Sequence, residues 1–250
     1  SYSIPTLIGH FGGIPAATAW FQGDVDQVRI FNTALPQSAI TALYNETTTT
    51  AQSASIDYVG ANPNSVAYYK MSDATDQLGS YNGTATNVDF NTEGKFGFAG
   101  AFNGSNSIIK TNLNSGNNNL TFSAWINISS NPSQAYGTIV DGRAAFYTFL
   151  AIGQNRKVGL SNDQQVSGDT GDSGYATEST TVLSIGVWYH IVGTLSSTDG
   201  AKIYINGNLD NTSVNRTSNA PAQSATSCIG STDGSRPLNG KIDQVIIFNT

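Results

Sequence analysis

Apolar and aromatic residues in this chain fall into short runs separated by Gly, Asn, Asp and Ser. The clearest run is LTFSAWINIS at 120–129, where Leu120, Phe122, Ala124, Ile126 and Ile128 alternate with Thr121, Ser123, Trp125 and Asn127. Successive side chains of a strand point to opposite faces, so the first set marks a core face. Comparable runs predict strands at 65–71, 96–103, 107–112, 147–153, 157–162, 188–196, 202–207 and 241–249. Asn82-Gly83, Asn103-Gly104, Asp141-Gly142, Asp199-Gly200, Asn206-Gly207 and Asp233-Gly234 punctuate them, and such pairs supply the positive φ angles of tight hairpins. A helical pattern occurs at 35–45: Pro36 suits a first turn, and Leu35, Ile40, Leu43 and Tyr44 share a face. Short strands with regular turns and one short helix predict an all-β fold, a two-sheet antiparallel β-sandwich or jelly roll.

The chain also echoes itself. GDVDQVRIFNT at 23–33 returns as GKIDQVIIFNT at 240–250, identical at eight of eleven positions, with Phe248 lying 217 residues after Phe31. That spacing exceeds any solenoid period and fits tandem copies of a domain of roughly 200 residues. ETTTTAQSAS at 46–55 has no apolar periodicity and reads as a linker. The expected organisation is therefore the C-terminal end of an upstream repeat at 1–45, a linker at 46–55, and a second copy at 56–250 without its final helix. Orphan closing strands expose ladder groups, so the chain is expected to belong to a longer polypeptide or to a homo-oligomer.

Composition narrows the partners. Charged residues are 11% of the chain against ~25% in typical domains, and the net charge is −6. A hydrophobic fraction of 38%, with 11 Tyr, 11 Phe and 3 Trp, is enough for a packed core and argues against disorder. The basic residues are scattered, with only Arg156-Lys157 adjacent, so nucleic acid is not an expected partner. No apolar run approaches the ~18–20 residues of a membrane-spanning helix, and membrane insertion is not expected. Cys228 is the only cysteine, which excludes an internal disulfide, and its neighbours predict a buried free thiol. His10 and His190 lie outside any nucleophile motif and are expected to pack structurally.

Five segments carry a family resemblance. GKFGFAGAFNGSNSII at 94–109, LTFSAWINI at 120–128, VWYHIVGTLSSTDGAKIYINGNL at 187–209, GKIDQVIIFNT at 240–250 and GDVDQVRIFNTALPQSAITALYN at 23–45 resemble segments of laminin-G-like, concanavalin A-like domains. The match runs in the family's order from about residue 56 to 250. The resemblance implies a concanavalin A-like jelly roll. It implies lectin-like or adhesive roles, or an appendage of a secreted carbohydrate-active enzyme. The DQVRIFN phrase with its Leu-Tyr-Asn ending also looks like segments of bacteriophage virion proteins. The expected function is a non-enzymatic structural or adhesion protein of a virion or cell surface, meeting other surface proteins and glycans. The alternative is a carbohydrate-binding appendage.

Candidate chemistry is sparse. Fold-related hydrolases carry paired acids in an E-x-D-x-E pattern, and glycoside hydrolysis needs two facing carboxylates. Glu46, Glu93 and Glu178 are the only glutamates and none lies in such a pattern, so no catalytic site is expected. The resemblance points to Asp243, with Asp26 as its counterpart in the first copy, as a ligand of one structural calcium. Asp73 and Asp76 are possible co-ligands. The other reading of Asp243 is an anchor for backbone amides, and in either case it is the acid expected to support the fold most. SNDQQVSGDTGDSGYATE at 161–178 is a second acidic segment. It lacks the spacing of a calcium loop. It is either a solvated loop or a rim that contacts ligand through Tyr175, Asp169 and Asp172.

Overall fold

Strand β6 (Leu120–Ile128) shows how the sequence pattern becomes a layer. Its Leu120, Phe122, Ala124, Ile126 and Ile128 are all at most 2% exposed, and Trp125 and Asn127 are half-buried on the opposite face. The structure, a computed structural model, describes residues 62–113, 119–142, 148–162, 176–196, 198–213 and 227–249, together with Gln37 and Val59. The other described strands are β1 (Ser65–Tyr69), β2 (Thr84–Thr86), β3 (Asp89–Glu93), β4 (Phe98–Asn103), β5 (Ile108–Thr111), β7 (Tyr136–Asp141), β8 (Thr148–Gly153), β9 (Lys157–Asn162), β10 (Thr177–Val182), β11 (Trp188–Ser196), β12 (Gly200–Ile205), β13 (Asn208–Ser213), β14 (Ser227–Ile229) and β15 (Asn239–Phe248).

Every pairing among them is antiparallel. One sheet runs β13-β12-β11-β6-β15-β4-β3, with β1 also on β15, and the other runs β10-β9-β8-β7-β14-β5-β2. Phe122 and Ile126 of β6, Ile242 and Val245 of β15, Ile109 of β5, Ile139 of β7, Leu150 of β8 and Leu160 of β9 belong to one buried cluster between the sheets. The expected two-sheet antiparallel sandwich is the observed fold.

β15 organises the first sheet. One flank pairs with β6 throughout. The other flank pairs Asn239–Ile242 with β4 and then Val245–Phe248 with β1. The change of partner coincides with a bulge: Asp243 faces Trp125 while Ile246 faces Ser123, one residue too many on β15. Gln244 takes φ +50° there. The bulge is thus Gln244-Val245, directly after the aspartate of the repeated phrase.

The chain divides into two compact units, Ser1–Ala51 and Gln52–Thr250, and the described strands lie in the second. Within the helix expected at 35–45, Gln37 is helical. The remainder of that helix, the first-copy closing strands with Asp26, and the 46–55 linker lie outside the described residues. Of the Asn-Gly and Asp-Gly pairs, Asn206-Gly207 and Asp233-Gly234 have positive φ at both residues. Gly83 and Gly142 do not.

Candidate functional site

The expected metal-binding acids are placed as follows. Asp76 is buried in the loop after β1 and accepts four backbone N–H bonds. Tyr68 and Leu78 donate to Oδ1 at 2.9 and 3.0 Å, and Ser80 and Tyr81 donate to Oδ2 at 3.1 and 3.0 Å. Asp73, exposed in the same loop, accepts the Thr75 amide at 2.8 Å. Asp243 is fully buried at the β15 bulge. Its Oδ2 accepts the Phe96 amide at 2.8 Å, and its Oδ1 accepts Gln244 Nε2 at 3.2 Å. The amides of Lys95 and Gln244 also favour its charge. Burial nevertheless pushes the carboxyl up to about 6. Gln244 in turn accepts the Tyr68 hydroxyl, and burial with the Asp243 charge pushes that phenol up to about 12.

A carboxylate has about four lone-pair directions. Those of Asp76 each meet an N–H, and Asp243 accepts the Phe96 amide and Gln244 Nε2. Calcium draws its bonds from such oxygens; the four N–H groups on Asp76 fit a backbone anchor and leave that carboxylate no free lone pair for an ion. No group of three His, Cys, Asp or Glu side chains converges among the described residues. Asp169, Asp172 and Tyr175 lie outside those residues.

The outer face of the first sheet carries an aromatic cluster. Trp125 meets Phe96 edge-on at 5.7 Å and His190 at 5.2 Å, and Lys95 Nζ lies 4.7 Å from the indole centroid. His190 shares a 2.9 Å hydrogen bond with Ser123 Oγ, and its partial burial lowers its pKa. This agrees with the expected packing role. Cys228 is buried, and desolvation pushes its thiol up to about 11, as expected for an inert cysteine.

A concave site forms at one end of the sandwich. Three connections converge there: Gly104-Ser105 after β4, Ser133-Gln134 before β7, and 234–237 between β14 and β15. The groove between them holds about 560 Å³, within the ~300–1,000 Å³ range of small-ligand sites. Its walls are mostly hydroxyl, amide and backbone groups, which suit a ligand rich in hydroxyls.

The groove is held by its own turns. Thr232 and Ser235 exchange backbone bonds of 2.7 and 2.8 Å around the Asp233-Gly234 turn. Thr138 N–H donates to the Arg236 carbonyl at 3.0 Å, and Gly104 N–H donates to the Leu238 carbonyl at 3.0 Å. The Arg236 guanidinium lies 4.8 Å from the Tyr136 ring centroid, and Tyr136 stacks on Phe149 at 4.9 Å and 13°. Asp233, the nearest acid in sequence, is engaged by Lys110 at 2.8 Å. Among the described residues Arg236 makes no ion pair.

A second polar groove, about 450 Å³, lies along β10 and β13. Its lysine, Lys157, already faces Glu178 at 3.6 Å, and Glu178 also accepts from Asn155 Nδ2 at 2.9 Å. Its charges are internally satisfied, so the Arg236 groove is the stronger candidate. The sequence pattern marks the Asp233-Gly234 turn but misses Arg236, Tyr136, Ser133, Gln134 and Ser105. The available signal is Ser235-Arg236-Pro237 directly after that turn. Pro restricts the residue before it.

An all-antiparallel two-layer sandwich with a polar groove at its loop end defines a lectin-like jelly roll in architecture. The family profile described as the concanavalin A-like lectin/glucanases superfamily, of the laminin G type, matches residues 100–250, and the chain belongs to that family. A search among curated protein sequences finds no match. Among solved structures, the chain resembles domain 4 of an extracellular arabinanase of Geobacillus stearothermophilus, in complex with arabinotriose. The TM-score is 0.57 at 19% identity, over 74% of this chain and 92% of that one. It also resembles the binding domain of Paraclostridial Mosquitocidal Protein 1, with TM-score 0.56, 16% identity and 74% and 49% coverage. Trypanosoma rangeli sialidase in complex with sialic acid gives 0.54 at 16% identity, over 75% of this chain and 31% of the enzyme. At these identities the likeness is one of fold.

Proposed function

We propose that this chain is a non-enzymatic surface protein whose jelly roll binds glycans through the groove at 104–105, 133–134 and 234–237. The observation that carries the reading is the groove's chemistry: hydroxyl and amide groups on rigid turns around a half-buried arginine. Family membership and the extracellular or toxin-borne relatives of the fold support a surface location. The specific form of the reading is a virion or cell-surface adhesion protein, supported by the resemblance of the repeated DQVRIFN phrase. A second reading, a binding appendage of a secreted carbohydrate-active enzyme, is favoured by the arabinanase domain, 92% of which aligns with this chain.

A glycan array with the full chain tests the common core of both. Binding is expected, and Ser105→Trp, which fills the groove from an exposed position, is expected to abolish it. Array binding undiminished by Ser105→Trp would place the site elsewhere. Absence of all binding would end the glycan reading.

A further inference from the structure

The geometry points to an acidic sugar residue as the ligand of this groove, its carboxylate or sulfate held by Arg236; this rests on the glycan-binding reading above. Arginine presents five N–H donors in a planar fork that matches an oxyanion in bidentate fashion. Here Arg236 is half-buried and its guanidinium lies over Tyr136, itself stacked on Phe149, a contact that favours one placement of the fork. No acid of the described protein answers it, because Asp233 is engaged by Lys110. The Tyr136 ring, already covered by Arg236 and Phe149, gives the groove a cation where many neutral-sugar sites present a bare aromatic face. Ser105, Ser133 and Gln134 line the groove to meet sugar hydroxyls, and Ser235 Oγ, which donates to the Thr232 carbonyl, can still accept from one.

The backbone gives an independent sign. Arg236 sits at φ +56°, in the left-handed region that non-glycine residues rarely adopt, and it precedes a proline. Glycine would occupy that position without strain. The fold therefore holds an arginine where a glycine is easier, and strain of this kind clusters at ligand sites.

The same feature supplies a clean variant. Arg236→Gly relieves the backbone and removes the guanidinium, so it is expected to fold with a melting temperature within a few degrees of wild type. On an array pairing sialylated, uronic-acid and sulfated glycans with neutral counterparts, wild type is expected to favour acidic members at least tenfold. Arg236→Gly should lose that preference, and Arg236→Lys should weaken acidic binding several-fold because the bidentate fork is gone. Comparing the carboxylate and sulfate members identifies which oxyanion is read. Equal binding of neutral and acidic partners, lost in Ser105→Trp, would overturn the acidic assignment and leave the glycan reading standing. Acidic binding unchanged in Arg236→Gly would overturn the role of Arg236. No binding to any member would remove both.

Discussion

At the scale of single residues, two buried aspartates do different work. Asp243 has a folded pKa of about 6 against 3.8, raised first by burial and only partly offset by its amide donors. A carboxyl raised on folding contributes stability that is fully present below about pH 4 and lost as the pH rises through about 6. The unfolding free energy of wild type minus that of Asp243→Asn is therefore expected to fall by roughly 2–3 kcal/mol between pH 4 and 7, since each tenfold change in proton affinity is worth ~1.4 kcal/mol. Denaturant titrations at several pH values check this, and a pH-independent difference would refute it. Asp76 collects four backbone amides in one loop. Asp76→Ala removes the partner of all four amides, that of Tyr68 buried and the others partly so, and is expected to cost roughly 2–4 kcal/mol. The exposed Asp73, with one amide, should cost no more than about 0.5 kcal/mol on the same change. Similar losses for the two would contradict the anchoring role.

At the scale of elements, the joints between strands are the sensitive points. Gly230, just after β14, has φ +79°, and an added Cβ would lie 2.0 Å from the Phe102 ring. Gly230→Ala combines a forbidden conformation with overpacking and is expected to destabilise by roughly 2–4 kcal/mol in thermal or denaturant unfolding. Where the edges of the two sheets meet, Asp210 of β13 accepts the Thr180 amide of β10 at 2.5 Å and also the Thr181 hydroxyl. Partial burial pushes the Asp210 carboxyl up, but hydrogen bonds from Thr181 and Thr180 outweigh it and leave the pKa lowered. Asp210→Ala should speed hydrogen exchange at Thr180 and Thr181 while leaving the amides of β6 protected. Uniform change across both strands would mean that β13 does not clamp β10.

At the scale of the whole molecule, the hydrogen bonds that tie Asp76 and Asp243 to their neighbours predict that the second unit keeps its stability without divalent metal. A chelator is expected to leave the melting temperature unchanged, and a drop of several degrees reversed by calcium would restore the calcium expectation. The proposed non-enzymatic role predicts no release of reducing ends from laminarin, agarose or similar polysaccharides, and steady release would refute it.

How far the sequence is legible follows from burial. Strands with a buried face, such as β6, β8, β11 and β15, announce themselves, because water forces their apolar residues onto one side and the period of two shows it. The unforeseen β2, β3, β10 and β13 are TAT, DFNTE, TESTTV and NLDNTS, and they are the four ends of the two sheet paths. An edge strand buries little and needs no apolar pattern, so backbone pairing places it and the side chains leave no mark. β7 escapes notice for another reason: YGTIVD is buried nearly throughout, and its short apolar run carries no period to read. The repeated Asp-Gln-Val phrase is visible as a motif, yet the bulge at its Gln244-Val245 depends on β15 changing partners from β4 to β1. The groove is the least legible feature. It joins residues 104, 134 and 236, far apart along the chain, and Arg236 differs from other surface arginines only through the turn, the ring and the missing acid that the folded chain sets around it.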